Sequence, residues 1–264
     1  MLTLKGIRKS FNIGTVNEKV ALDGVDLTLS AGDFVSVIGG NGAGKSTLLN
    51  AVAGVYPVDE GVIEIDGVNV TRLSEFRRAR YLGRVFQDPM MGTAGDMNIE
   101  ENLAMALRRG ERRTLRWGVT AAERKRYFEI LKHLDLGLEN RMTTKVGLLS
   151  GGQRQALTLL MATLKAPRLL LLDEHTAALD PKTAAKVLVL SDRFIAEEKL
   201  TALMVTHNMR DAIQHGNRLL MMHEGKVIVD VSGDEKKRLT VETLLGMFGK
   251  ASGQQLASDR MLLS

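Results

Sequence analysis

The sequence predicts an α/β fold, and three observations carry that prediction. An apolar run, Phe34–Ile38, leads into Gly39-Gly40-Asn41-Gly42-Ala43-Gly44-Lys45-Ser46-Thr47 and then Leu48–Ala53: a strand, a glycine-rich turn and a helix in succession. Much later, Leu169–Leu172 is a second continuous apolar run, the pattern of a parallel strand buried on both faces, and it ends in Asp173 and Glu174. Between the two, the periodicity from Ile99 to about Leu164 is helical, whereas the N-terminal segment alternates like an antiparallel sheet.

Composition sets outer limits. The chain has 264 residues, 44% hydrophobic and 25% charged, which is ordinary for a globular protein and long enough for a large core with a smaller second lobe. Cysteine is absent, which excludes a disulfide framework and thiolate metal sites. Met1–Leu4 leads straight into a charged, strand-like segment, so no signal peptide is expected, and no apolar run reaches the length of a membrane span. A formal charge of +5 suits an anionic ligand, a membrane surface or nucleic acid alike. One Trp and three Tyr argue against a base-stacking platform, and no nucleic-acid partner is expected.

Taken in order, Leu2–Ile7 reads as a strand, followed by Phe11 and a polar loop, Asn12–Lys19. Val20–Leu22 and Val25–Leu29 resume the alternation, and Ala31-Gly32-Asp33 turns the chain into the Phe34–Ile38 strand. Phe11 is open to two readings, a platform for an adenine ring or a filler of the small sheet's core.

Residues 39–47 carry the G-x-x-x-x-G-K-S pattern of a P-loop. Gly39, Gly42 and Gly44, with Asn41 and Ala43, allow a tight bend that points backbone N–H groups inward at a helix N-terminus, which suits a polyphosphate. Lys45 would place its charge on the β- and γ-phosphates, and Ser46 would offer a hydroxyl to Mg²⁺; Thr47 follows in the same first turn.

Val62–Gly67 reads as a strand ended by a turn, and Tyr81–Gln87 as another, broken by Asp88-Pro89. Ile99–Leu107 starts one helix, and Thr120 with Glu123 forms a capping box that opens the next, through Leu131 to Leu134. The basic stretch Arg108–Trp117 between them reads as a solvated loop in preference to a membrane-surface contact. Leu149-Ser150-Gly151-Gly152-Gln153 precedes a helix from Arg154 to Leu164, so it is either a second phosphate site at a helix start or a glycine cap between helices.

Asp173 and Glu174 stand at the C-terminal end of their strand, where open α/β sheets bind ligands. Asp173 can hold Mg²⁺ and Glu174 can polarise a water; neighbours on a strand point opposite ways, so the two can take separate roles. Asp180 is an N-cap with Pro181 at N1, opening a helix through Asp192. Thr201–Thr206 is a strand with His207 just past its end, at the same ligand-binding edge. Arg218–Met222 and Lys226–Asp230 form a hairpin around Glu224-Gly225, and the tail from Gly233 holds short helical patterns with a weakly ordered end.

These pieces, in this order, resemble the ATP-binding subunit of a bacterial ABC transporter over nearly the whole chain. Gly39–Thr47 matches the Walker A loop, Gln87 the Q-loop glutamine, and Leu149–Gln153 the signature. Leu169–Asp173 matches Walker B, Glu174 the catalytic glutamate, Ala178-Leu179-Asp180 the D-loop, His207 the switch histidine and Phe11 the adenine-stacking aromatic. The resemblance implies a RecA-like core with an antiparallel β-subdomain and an inserted helical subdomain at about 88–167. Together they make one ATPase domain over 1–232, with a short extension over 233–264. His175 departs from the family's usual proline, and Thr176-Ala177 from its Thr-Ser. With Asp88-Pro89-Met90-Met91-Gly92-Thr93-Ala94 they look like a subgroup of importers, some linked to aromatic amino acids.

The resemblance further implies ATP and Mg²⁺ as ligands, with Mg²⁺ held by Ser46, Gln87 and Asp173. Glu174, His207, Gln87 and Lys45 would perform hydrolysis. Two copies would face head to tail, so that Ser150, Gly151, Gly152, Gln153 and Asp180 serve the ATP on the partner's Walker A loop, and a side chain at Gly152 would intrude on that ATP's γ-phosphate. Permease subunits and an extracytoplasmic substrate-binding protein would complete an importer, with this chain peripheral on the cytoplasmic face of the inner membrane. Met90, Met91 and Met97 would line the permease groove, or simply fill packing space. Two rival classes are weighed. A soluble ATPase of DNA repair or translation would carry a long coiled coil or two cassettes, and this chain has neither. A regulator that binds without hydrolysing would not need Glu174, Gln87 and His207 together.

Overall fold

The computed structural model describes residues 1–111 and 118–252. In chain order these form β1 (Leu2–Phe11), β2 (Lys19–Leu29), β3 (Phe34–Ile38), α1 (Lys45–Ala53), β4 (Glu60–Ile65), β5 (Val68–Asn69), α2 (Glu75–Arg78) and β6 (Leu82–Val85). Then follow α3 (Ile99–Leu107), α4 (Ala121–Lys132), α5 (Gly151–Thr163), β7 (Leu169–Asp173), α6 (Pro181–Glu197), β8 (Ala202–Val205) and α7 (Met209–Gln214). The last elements are β9 (Arg218–His223), β10 (Lys226–Ser232), α8 (Gly233–Lys237) and α9 (Val241–Ser252).

Six strands make the central sheet in the order β10-β9-β3-β8-β7-β6, parallel except for β10, which runs antiparallel to β9. Both faces are buried, as the continuous apolar runs require. In β7, Leu169 and Leu171 join one core cluster while Leu170 and Leu172 join the other; in β8, Leu203 and Val205 oppose Ala202 and Met204 in the same way. The first cluster lies under α1 and a four-stranded antiparallel sheet, β2-β1-β4-β5. The second packs α3, α4, α5 and α6 on the opposite face.

Several elements differ from the sequence reading. β1 runs on to Phe11, and β2 is one strand through Asp23-Gly24 instead of two runs. Register shifts between Ile7 and Lys9 absorb the break opposite Gly24, which takes φ 70°. β6 ends at Val85, two residues before Gln87, because its ladder with β7 stops at Val85–Leu172. α6 continues to Glu197, and α1 begins at Lys45, three residues before the apolar run. α5 begins at Gly151 instead of Arg154: Ser150 accepts from the Gln153 N–H while Gln153 accepts from the Ser150 N–H, so a reciprocal cap outweighs two glycines. The Thr120–Glu123 capping box is present, and Asn98 with Glu101 makes a third.

Beyond the hairpin, α9 lays Leu244 and Phe248 on Met209, Leu219 and Val231, so the described part of the C-terminal stretch shares a core with the sheet. Positions 112–117 of the basic stretch, and the end of the tail from 253, lie outside the described residues. Among the described residues no helix is long and apolar enough to cross a membrane.

Candidate functional site

The glycine loop sits between β3 and α1 at the C-terminal edge of the central sheet. Two positions show why glycine is required. A Cβ on Gly39 (φ 152°) would lie 2.2 Å from the Met222 carbonyl oxygen, and one on Gly44 (φ 100°) 2.5 Å from that of Ala21. The loop is therefore clamped between β2 and the β9–β10 turn, and the Gly225 N–H donating to the Ala43 carbonyl (3.1 Å) closes the clamp. Gly44 caps α1 in the left-handed conformation with no side-chain cap, leaving the first N–H groups of a helix for an anion.

Lys45 is buried, and its Nζ donates to the Gly39 (2.6 Å) and Gly40 (3.1 Å) carbonyls. Burial holds its pKa below the ordinary lysine value, against an opposing pull from Glu174. Asn41, Gly42 and Ser46 are exposed on the loop's open side, with Thr47 half-buried behind them. Lys19 adds a cation that the motif does not contain: its Nζ lies 3.0 Å from where a Gly42 Cβ would stand.

Asp173 closes β7, half-buried, with its Oδ2 3.1 Å from an Arg84 nitrogen. Burial raises its pKa and Arg84 pulls it down. Glu174 does not continue the strand. It turns left-handed at φ 41°, its N–H bonded to the Val205 carbonyl (2.9 Å). Its direction is thus set by that turn, and not by the strand alternation expected from sequence; such a conformation costs a β-carbon residue about 1–2 kcal/mol. Glu174 Oε2 lies 3.5 Å from Nδ1 of His207, which stands exposed just after β8.

Phe11 is half-buried outside the core clusters. Its ring meets Tyr56 edge-to-face at 5.3 Å, with the Lys9 ammonium 5.5 Å away. The small sheet's core is filled without it, by Leu2, Leu4, Ile7, Leu22 and Ile63.

Ser150 and Gly151 are exposed at the start of α5, and no hydrogen bond among the described residues joins 150–153 to the glycine loop. Gly152 faces its own chain: a Cβ there would lie 2.1 Å from Thr183 Cγ2. A side chain at Gly152 would therefore press on Thr183 of its own chain as well. Asp180 caps α6 by accepting from the Thr183 N–H (3.1 Å), so the α5 and α6 starts form one packed unit.

Gln87 is exposed beyond β6, and the fully buried Gln155 of α5 donates to the preceding Phe86 carbonyl (3.1 Å). Gln155 and Arg84 lie in no motif; only the fold brings Gln155 to Phe86, and Arg84 to Asn50 and Asp173. Beside Gln87 opens a cleft of about 970 Å³ lined by Phe76, Arg84, Phe86, Met91, Met105 and Arg109, among others. Of Met90, Met91 and Met97, Met91 lines this cleft. Met90 packs its sulfur on Arg154 instead, and Met105 lines the cleft unforeseen.

The three residues expected to hold Mg²⁺ all offer oxygen: the Ser46 hydroxyl, the Gln87 amide and the Asp173 carboxylate. That set suits a hard divalent cation. Among the described residues no cluster of three or more His, Cys, Asp or Glu could cage a metal alone. A single carboxylate beside a hydroxyl and an amide suits Mg²⁺ that keeps waters and substrate phosphates as its other ligands.

The profile of the family described as "ABC transporter" matches residues 22–177. The tyrosine transport ATP-binding protein of Clostridioides difficile is 43% identical over 252 residues, covering 94% of this chain and 98% of that protein. A methionine import ATP-binding protein of Corynebacterium diphtheriae is 36% identical over 86% of this chain, which spans 64% of that relative's length. Among solved structures, the dimeric post-hydrolysis ATP-binding cassette MJ0796 bound to ADP and Pi is similar at TM-score 0.75 and 30% identity, over 88% of this chain and 98% of that one. The ADP conformation of the cassette MJ1267 is similar at TM-score 0.77 and 27% identity, over 94% and 98%. With its glycine loop, its Asp173–Glu174 strand end and its capped signature helix on this fold, the chain belongs to the ABC transporter family as an ATP-binding cassette.

Proposed function

We propose that this cassette hydrolyses ATP to drive a solute importer, with an amino acid of the aromatic class as cargo. The observation that carries the hydrolytic part is the Glu174 carboxylate, turned out of β7 at φ 41° and set 3.5 Å from His207 at the sheet edge that holds the glycine loop. The likeness to a tyrosine transport ATP-binding protein supports the cargo class.

The residues divide the work by position. The N–H groups of Gly39–Thr47 and the Lys45 ammonium hold the β- and γ-phosphates, and Phe11 carries the adenine. Ser46, Gln87 and Asp173 would hold Mg²⁺, which supplies charge neutralisation on the phosphates. Glu174 orients a water and draws off its proton as the oxygen–phosphorus bond forms and the bridging bond to ADP breaks, releasing phosphate. His207 steadies Glu174 and the γ-phosphate. Ser150, Gly151, Gly152, Gln153 and Asp180 of a second copy complete the site across a dimer interface. A permease segment docks in the cleft over Phe76, Met91 and Met105, and a substrate-binding protein delivers cargo on the outer side. The cassette then sits on the cytoplasmic face of the membrane. Between β6 and β7 the described residues hold only short helices, which disfavours a coiled-coil repair ATPase.

Glu174→Gln keeps the shape and removes the base. Hydrolysis is expected to fall roughly 10²–10⁴-fold with ATP binding retained. Turnover within a few-fold of the parent would remove Glu174 from the chemistry. Uptake of labelled tyrosine into vesicles carrying the co-purified permease tests the cargo.

A further inference from the structure

We propose that Arg84 is the counter-ion that holds Asp173 until Mg²⁺ arrives, so that Arg84 sets how much Mg²⁺ the nucleotide site requires. This rests on the reading of Asp173 as a metal-holding carboxylate. Arg84 projects from β6 towards the end of β7, both side chains being mostly covered, 13% and 16% exposed. One nitrogen, Nη2, makes both polar contacts, at 2.7 Å to Asn50 Oδ1 on α1 and 3.1 Å to Asp173 Oδ2.

That geometry is not a permanent brace. A guanidinium built to orient a carboxylate binds it with two parallel N–H groups. Arg84 gives Asp173 a share of one nitrogen, and its Nε is buried with no hydrogen-bond partner. The pair is therefore under-satisfied and displaceable. A divalent cation drawing on the same carboxylate is repelled by a guanidinium at contact distance, so cation and Arg84 compete for Asp173.

Arg84 also has somewhere to go. Its guanidinium lies over the Phe86 ring, 4.5 Å from the centroid, and both side chains line the cleft next to Gln87. On yielding Asp173 it keeps Asn50 and the ring while its free nitrogens turn towards the cleft. Linkage makes this reciprocal: an acceptor in the cleft that engages Arg84 raises the affinity for Mg²⁺ with nucleotide, and bound Mg²⁺ strengthens that docking contact.

The test is a Mg²⁺ titration of binding of a fluorescent ATP to the full-length chain, in a Glu174→Gln background that stops hydrolysis. Arg84→Gln, and Arg84→Met, which keeps the stem packed on Phe86, should lower the Mg²⁺ midpoint about fivefold or more. Binding in EDTA should be unchanged. Arg84→Lys, which keeps the charge, should stay nearer the parent than either. A midpoint that is unchanged or raised in the folded Gln or Met variant overturns the proposal. Asp173→Asn separates the two failures. If it leaves the midpoint alone, the reading of Asp173 falls and takes the proposal with it. If it shifts the midpoint while the Arg84 variants do not, only the role of Arg84 falls.

Discussion

His175 sits where the family usually has proline, and its surroundings explain what a histidine does there. It is fully covered, with Nε2 3.0 Å from Ser191 Oγ. The Ser191 hydroxyl donates to the Val187 carbonyl (2.9 Å), so its oxygen accepts from His175, which assigns a proton to Nε2. Burial pushes the pKa from 6.5 down to about 4, helped by His215 and opposed by Asp192, itself 2.7 Å from His215 Nδ1. The folded value lies below the unfolded one. Stability from this group is therefore complete above about pH 6.5 and drains as pH falls towards 4, by up to about 3 kcal/mol. Thermal unfolding between pH 7 and 4 should show that loss, and His175→Gln, which can still donate to Ser191 but does not titrate, should flatten it. Identical slopes would place the acid sensitivity elsewhere. The sequence displayed His175 as a departure from pattern, but its burial and its partner sixteen residues on are products of packing.

At the scale of elements, α1 is held at both ends by residues distant in the chain. Its start is the glycine loop, clamped by Met222, Ala21 and Gly225. Its end is capped by Arg78 of α2, 1% exposed, which donates to the Ala51 and Val52 carbonyls (2.7 and 2.9 Å) as well as to Leu73 and Thr71. A cation on the last carbonyls of a helix satisfies orphan acceptors and the dipole together. Arg78→Ala would remove four hydrogen bonds, two of them to buried carbonyls, with an expected loss of about 3 kcal/mol in urea unfolding; no measurable shift would mean that water replaces the guanidinium. The α5–α6 contact is as tight. Gly152→Ala should cost about 1–3 kcal/mol by overpacking against Thr183 Cγ2, and Thr183→Ser, which deletes that methyl, should restore most of it. If the serine does not rescue, the glycine is needed for something other than this contact. A probe of the shared site is better placed at Ser150, which is exposed.

For the whole molecule, the open side of the glycine loop and the exposed start of α5 belong to one chain but share no hydrogen bond. On the function proposed above each is half of a phosphate site, which a second copy turned head to tail would complete. Glu174→Gln with saturating ATP should therefore sediment as a dimer, and without ATP as a monomer. A particle that stays monomeric with ATP, or is dimeric without it, contradicts a nucleotide-glued pair.

Much of this was legible along the chain because the signals are local. A P-loop is a contiguous run whose glycines, lysine and helix start act together, and an apolar strand ending in carboxylates marks the binding edge of a sheet. Capping boxes at Thr120 and N-caps such as Asp180 are likewise short-range hydrogen bonds. By itself the sequence determined the α/β class, the glycine loop and the family, and it singled out Asp173 and Glu174 as the candidate metal and base carboxylates. The tertiary structure alone decided that Glu174 leaves its strand left-handed, that Gly152 faces Thr183, that Gln155 holds the loop before Gln87, and that Arg84 meets Asp173 eighty-nine residues away. Those are contacts between elements, and their partners are chosen by how sheets and helices stack to bury both faces of β7, which no local pattern records.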